Sequence, residues 1–258
     1  MPRGAAMLGR MVSRSGALVF EPEVDGVLPG APDPRSKWVG SVVPGGLTGK
    51  DVLDVGCWTG RMLRDLGAYG CARRVGMDID GPWLDVARRS CPDVEFVACR
   101  SVASGLRPLA HSFHVVLFLE TLEHLPARTE AGAMSALAQA LRPGGTLVLS
   151  TPAAGMPTLL DPAWYLTGHR HYSLQRLGRL ASGAGLVVER HGYSGDVADW
   201  RATIRHYVLK HVCLASSSLP DEGGRAFEVR SKRGALPQSI WMVAKPAAGG
   251  RGDVLPVR

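Results

Sequence analysis

Val52-Leu53-Asp54-Val55-Gly56-Cys57-Trp58-Thr59-Gly60 is the stretch that decides the fold. Its apolar first half predicts a buried strand, and Gly56 and Gly60 predict a tight turn into a helix. A glycine at a strand end has no Cβ, so a ligand can approach the backbone and meet the amides that begin the helix. Asp54 is placed to interact with an amino group of such a ligand or to brace the loop.

Asp78 is the second deciding residue, because it ends the next predicted strand about 20 residues after Gly56. A carboxylate at that spacing can accept hydrogen bonds from both hydroxyls of a ribose. A nicotinamide dinucleotide site would require Gly-x-Gly-x-x-Gly, whereas Trp58 stands between the two glycines of this turn. The pattern therefore favours a nucleoside ligand other than a nicotinamide dinucleotide.

The rest of the chain alternates short apolar runs with helical stretches, which is typical of βαβ units and a parallel sheet. Strands are predicted at Asp51–Val55, Arg74–Asp78, Val94–Ala98, His114–Leu119, Thr146–Ser150, Leu186–Arg190 and Ser239–Ala244. Helices are predicted near Ser36–Val43 and at Arg61–Leu66, Pro82–Ser90, Arg128–Leu141, Leu174–Ala184 and Asp196–Leu214.

Composition places the chain among ordinary globular proteins. With 258 residues, 45% of them hydrophobic and 21% charged, it can bury one α/β core. No apolar run approaches the roughly 18 residues that a membrane helix needs. The five cysteines form no Cys-x-x-Cys pair, which fits a cytoplasmic location. The net charge of +7 comes mainly from arginines spread along the chain, so we do not expect a nucleic-acid partner.

Three segments resemble motifs of the class I S-adenosylmethionine-dependent methyltransferases. Val52–Gly60 resembles their motif I, Val75–Asp80 their ribose-binding strand end and Leu141–Leu147 the entry to their fifth strand. The resemblance spans Lys50–Tyr193 and includes the last strand, Ser239–Pro246. It implies an α/β, Rossmann-like sheet of seven mostly parallel strands in the order 3-2-1-4-5-7-6, with helices on both faces and a small lid.

The resemblance also implies where S-adenosylmethionine binds. The methionine part would lie against the glycine turn, the ribose at the end of the second strand, the adenine after the third strand and the sulfonium above the end of the fourth. The residues for the methionine part are Asp54, Gly56, Cys57, Trp58 and Gly60, and those for the ribose are Asp78 and Ile79. Arg100 and Ser101 would lie at the adenine, and Leu119 and Glu120 at the sulfonium.

Two residues depart from the family pattern. Trp58 stands where the family commonly has glycine, so we expect its ring to cap the methionine end or to enter the substrate cleft. Arg100 stands where an aspartate usually binds the adenine amino group, and a guanidinium cannot accept that hydrogen bond. Adenine would then be held by the backbone or by stacking.

The segment Glu120-Thr121-Leu122-Glu123-His124 follows the fourth strand, where the methyl donor would meet the acceptor. It resembles ubiquinone-type O-methyltransferases and small-RNA 2′-O-methyltransferases, some of which bind a divalent ion there. We favour a metal-free site, with an ion at Glu120, Glu123 and His124 as the alternative. Because an imidazole can accept a hydroxyl proton, His171, His124 and His169 are the candidate general bases.

The chain organisation is predicted as a lead-in over residues 1–46, the methyltransferase domain over 47–246 and a flexible tail over 247–258. Lid segments are expected at about 153–172 and 193–234, with apolar residues that either line the site or form a homodimer surface. The predicted function is methyl transfer from S-adenosylmethionine to a small-molecule hydroxyl. The alternatives are a metal-assisted RNA 2′-O-methyltransferase and a catalytically degenerate partner subunit.

Overall fold

The computed structural model describes residues 11–14, 17–20, 33, 35–155, 169–195, 229–230 and 237–247. Near the N-terminus, Met11–Arg14 and Ala17–Phe20 pair as an antiparallel hairpin, in a part of the chain predicted to be an extended or helical lead-in. The predicted helix Asp196–Leu214, most of both lid segments and nearly all of the tail lie outside the described residues.

The main sheet has the predicted strand order. In chain order its strands are β1 (Asp51–Val55), β2 (Arg73–Ile79), β3 (Glu95–Cys99), β4 (Phe113–Leu119), β5 (Leu141–Pro152), β6 (Leu186–Ser194) and β7 (Ser239–Pro246). They lie in the order β3-β2-β1-β4-β5-β7-β6, and the two-residue strand Val229–Arg230 is added beside β6. The strands β1 to β5 run parallel, and β7 is antiparallel to both of its neighbours.

Six α-helices are found in the described residues. They are α1 (Arg35–Val42), α2 (Arg61–Leu66), α3 (Pro82–Ser90), α4 (Val102–Leu106), α5 (Glu130–Ala140) and α6 (Leu174–Gly183). Among the described residues no helix is long and apolar enough to cross a membrane.

Two of the differences from the sequence-based prediction have a clear physical reason. Helix α4 was not predicted, because its five residues are too few to show a helical period. Strand β5 begins at Leu141, where a helix end was expected, because Leu141 pairs with Phe113 of β4. The helix before it is correspondingly shorter than the predicted Arg128–Leu141.

Both faces of the central strands are buried, as expected for parallel strands covered by helices. In β4, Val115, Leu117 and Leu119 belong to one apolar cluster, and Val116 and Phe118 belong to the other. Helix α1 covers part of the first cluster, where Trp38 packs edge-on against Trp241 of β7 at a ring distance of 5.7 Å. Because β1 to β5 are parallel, their carboxyl ends meet at one edge, where ligands bind in sheets of this kind.

The substitution Gly76→Ala should destabilise the protein by about 1–3 kcal/mol, because overpacking displaces well-packed neighbours. A Cβ on Gly76 would lie 2.6 Å from the Phe96 ring and 2.8 Å from the Cys57 sulfur. Urea unfolding measures the change. The control is Gly132→Ala in α5, where a Cβ meets nothing within 4 Å and should stabilise the helix by about 0.5–1 kcal/mol. Equal effects of the two substitutions would contradict the prediction.

Candidate functional site

The glycine turn is held tightly between β2 and the segment that follows β4. The Gly56 N–H donates to the Met77 carbonyl oxygen at 2.7 Å. Gly56 has φ 81°, and a Cβ there would lie 2.2 Å from the Thr121 hydroxyl oxygen. Only glycine therefore fits this position, for conformational and for steric reasons.

Asp78 connects the glycine turn to the end of β2. One carboxylate oxygen accepts the Trp58 N–H at 2.6 Å, and the other accepts the Ile79 N–H at 2.7 Å. Burial raises the pKa of Asp78, and these two backbone hydrogen bonds oppose that rise. An ionised carboxylate offers about four acceptor positions, so each oxygen retains capacity for one ribose hydroxyl.

Apolar side chains flank this carboxylate. Within the described part of the chain three large hydrophobic residues are exposed, namely Trp58 at 38%, Ile79 at 56% and Val187 at 39%. Two of the three are bonded through their backbone amides to Asp78. Exposed apolar surface concentrated at one crevice indicates a binding site, and here it suits the flat faces of a nucleoside.

Helix α1 brings a charged pair to the same region, which sequence reasoning missed. Arg35 forms a 2.8 Å ion pair with Asp33, and its positive charge acts on Asp54 and Glu120. Burial raises the pKa of Asp54 to about 7, although the nearby guanidinium opposes the rise. The available sequence signal was an acid and an arginine on either side of Pro34, directly before the predicted helix.

The other residues predicted near the methionine part and the sulfonium lie at the ends of β1 and β4. Cys57 is buried, and burial raises the pKa of its thiol, so it contributes shape rather than reactivity. Gly60 has φ 76°, and a Cβ there would lie 2.9 Å from the Phe96 ring. Leu119 is buried at the end of β4, and Glu120 follows it with φ 49° while donating its N–H to the Ser150 carbonyl oxygen.

The predicted adenine side is more open. Arg100 and Ser101 are exposed and directly follow β3, whose Cys99 pairs with Ile79 of β2. The Ser101 hydroxyl caps α4 by accepting the Ser104 N–H at 3.2 Å. That hydroxyl therefore serves the helix, and an adenine at this position would have to be held mainly by apolar contact and backbone groups.

The structure brings together two of the three candidate bases. The His124 and His169 rings lie edge to face, with their centroids 4.5 Å apart. The His124 side chain is 53% exposed. Partial burial, and after it His169 and Arg170, lower the pKa of His124 to about 4, so this imidazole is neutral at neutral pH. His171 lies two residues further along, and its Nδ1 atom is buried.

The side chains of the alternative metal site have the following surroundings. Glu123 is buried and accepts a hydrogen bond from the Thr151 hydroxyl at 2.9 Å. Burial and the neighbouring Glu120 raise the pKa of Glu123, and its carboxylate lies 3.9 Å from the His124 ring nitrogen. In the part of the chain that the structure describes, no group of three His, Cys, Asp or Glu residues could hold a metal ion.

Sequence comparison adds an independent observation. A family model described as a methyltransferase domain matches residues 37–191. The ubiquinone biosynthesis O-methyltransferase of Alkalilimnicola ehrlichii is 38% identical over 112 residues, which are 42% of this chain and 43% of that protein. The enzyme of the same name from Thiobacillus denitrificans is 35% identical over 125 residues, 45% of this chain and 50% of that protein. The alignments thus span half or less of these relatives.

Solved structures share the fold at low sequence identity. An S-adenosylmethionine-dependent methyltransferase from Mesorhizobium loti matches with a TM-score of 0.55 and 18% identity, covering 82% of this chain and 97% of that one. Magnesium protoporphyrin IX methyltransferase from Synechocystis, solved with S-adenosylhomocysteine, matches with a TM-score of 0.54 and 19% identity. The match covers 83% of this chain and 84% of that one. Since the family model spans more than half of the sequence, the chain belongs to the class I S-adenosylmethionine-dependent methyltransferases.

Proposed function

We propose that the protein transfers a methyl group from S-adenosylmethionine to a hydroxyl oxygen of a small-molecule acceptor, such as a quinone precursor, a sugar or a secondary metabolite. The observation that carries the proposal is the pair His124 and His169, which follows β4 and β5 at the same edge of the sheet as Asp78. A neutral imidazole at that edge can accept a hydroxyl proton. The similarity to enzymes named as O-methyltransferases supports oxygen as the acceptor atom.

Charge and exposed apolar surface at this edge of the sheet support S-adenosylmethionine as the cofactor. Asp78 would bind the ribose hydroxyls with its remaining acceptor positions, and Trp58 and Ile79 would cover the nucleoside. The cluster of Asp33, Asp54 and Glu120 around Arg35 contains more acids than bases, which suits the cationic methionine end. When bound, S-adenosylmethionine supplies the methyl group.

The protein side of the reaction is the removal of one proton. The bound cofactor would supply the methyl carbon to the acceptor oxygen, and the electron pair of the broken carbon–sulfur bond would stay on sulfur. The hydroxyl proton passes to His124, with His169 in contact with the same ring. Because the pKa of His124 is about 4, the protonated ring does not persist and the proton passes on to solvent.

The direct test is cofactor calorimetry followed by turnover with labelled S-adenosylmethionine. The acceptor panel contains catechols, sugars and alcohols, and mass spectrometry locates the added methyl group. We expect S-adenosylmethionine to bind and at least one hydroxyl to be methylated, with a large loss of turnover in His124→Ala. Absence of binding at millimolar cofactor would instead favour a degenerate family member.

Asp78→Asn should weaken cofactor binding by roughly 10- to 100-fold. The reason is that hydrogen bonds to a charged group contribute about 1.5–3 kcal/mol, and 1.4 kcal/mol corresponds to tenfold. Isothermal titration calorimetry measures the dissociation constant. Asp80→Asn makes the same charge change two residues further along, at an exposed position, and should leave binding within about twofold.

The affinity for S-adenosylmethionine should rise as the pH increases through about 7, the pKa of Asp54. Below that pH Asp54 carries a proton, and above it the carboxylate attracts the cofactor's positive charge. Because burial raises this pKa from 3.8, the contribution of Asp54 to the stability of the free protein is lost as the pH rises from about 4 to about 7. Calorimetry across this range should show the dependence, and Asp54→Asn should flatten it. An unchanged pH dependence in the variant would rule out Asp54 as its source.

Trp58→Gly should separate stability from binding. Trp58 has φ 47°, a left-handed conformation that costs a non-glycine residue about 1–2 kcal/mol, so glycine should be tolerated or slightly stabilising. Loss of the exposed indole should weaken cofactor binding by about tenfold, since burying such a ring contributes about 1.5 kcal/mol or more. His111→Gly relieves a similar φ of 53° at the amino end of β4 and should not change binding. Thermal unfolding and calorimetry give the two readouts.

A further inference from the structure

A buried carboxylate outside the proposed cofactor crevice connects three segments of the chain. Glu130, the first residue of α5, is 3% exposed. It accepts the Tyr172 hydroxyl at 2.8 Å and Arg176 at 2.9 and 2.8 Å, and it pairs with Arg170 at 3.1 Å. Three donors from one short segment therefore converge on a single side chain.

The same donors also hold the turn that carries His124. Arg170 donates to the Leu122 carbonyl oxygen at 3.1 Å, and the Tyr172 hydroxyl lies 3.3 Å from that oxygen. Leu122 begins the 3₁₀ turn Leu122–His124. Because Arg170 directly follows His169, the contacts of Glu130 fix the backbone on both sides of the histidine pair.

Stability alone gives no reason for this arrangement. A buried ion-pair network recovers little more than its desolvation cost, and apolar side chains of similar volume often stabilise a protein equally well or better. Such a network does fix the positions of its side chains, because each donor has one favourable position on the carboxylate. Here the network holds the Leu122 carbonyl group and the Arg170 side chain. Leu122 lies two residues before His124, and Arg170 directly follows His169.

We propose that Glu130 is a positioning residue, which acts through Arg170 and Tyr172 to hold His124 and His169 in ring contact at the methyl-transfer site. This inference rests on the proposed function for the role of the histidines. The geometric part, that Glu130 fixes the histidine pair, can be tested without knowing the methyl acceptor.

The test compares Glu130→Gln with a matched control at the opposite end of the sheet. Asp51 also pairs with an arginine and a histidine, Arg142 at 2.9 Å and His114 at 3.3 Å, so Asp51→Asn removes an equivalent carboxylate charge. The probe is full-length protein with ¹⁵N-labelled histidine, saturated with S-adenosylhomocysteine where it binds. Imidazole nuclear magnetic resonance spectra are assigned by single His→Gln variants.

In Glu130→Gln we expect the His124 and His169 ring signals to shift and broaden while the His114 signals stay unchanged. Asp51→Asn should show the reverse pattern. If a hydroxyl acceptor is turned over, Glu130→Gln should lower kcat by about tenfold or more through misalignment, with the cofactor dissociation constant within twofold. Unchanged His124 and His169 signals in a folded Glu130→Gln protein would overturn the proposal.

A second variant covers the case in which Glu130→Gln does not fold. Arg170→Lys keeps the charge but loses the planar fork that joins Glu130 to the Leu122 carbonyl oxygen, and it should move the same two ring signals. If it leaves them in place, the proposal fails. Lack of S-adenosylmethionine binding in the unaltered protein would refute the proposed function, whereas the ring spectra would still decide the role of Glu130.

Discussion

The hydrogen bond from the Trp58 N–H to the Asp78 carboxylate is the contact on which the proposed binding crevice depends. Trp58 has a left-handed backbone conformation that costs about 1–2 kcal/mol for a residue with a Cβ. A hydrogen bond to an ionised carboxylate contributes about 1.5–3 kcal/mol, which is enough to offset that cost. The side chain proposed to bind the ribose therefore also builds the turn against which the rest of the cofactor would lie.

Close packing around this turn leaves its backbone a single conformation. Gly56 leaves no room for a Cβ beside Thr121, and Gly60 leaves none beside Phe96. The Thr121 hydroxyl lies 3.0 Å from the Leu119 carbonyl oxygen at the end of β4 and 3.4 Å from the Val55 carbonyl oxygen at the end of β1. The glycine turn after β1 and the segment after β4 are thus locked together, and the cofactor region is rigidly connected to the segment that carries His124.

Electrostatics divides the site into two regions of opposite character. Arg35 pairs with Asp33 and is acted on by the charges of Asp54 and Glu120, on the side proposed for the cationic cofactor. Arg170 and Arg176 share the single carboxylate of Glu130 on the side of the histidine pair. There partial burial, and after it His169 and Arg170, lower the pKa of His124. A neutral proton acceptor beside a region that attracts cations is a consistent arrangement for methyl transfer from a sulfonium to a hydroxyl.

Apolar runs, glycines and the spacing from Gly56 to Asp78 are local patterns, so the individual strands and the glycine turn with its aspartate could be predicted from the residues themselves. The strand order, in contrast, was implied by the resemblance to a known family. The sequence also placed His124 and His169 on segments that end at the same edge of the sheet. Only the tertiary structure brings the charge of Arg35 to act on Asp54 and Glu120, and brings Arg170 and Arg176 to Glu130, because these residues are far apart in the sequence. It likewise extended β5 to Leu141, where pairing with Phe113 prevailed over the local signal for a helix end. Such contacts form between segments that no short pattern relates, so only the folded chain reveals them.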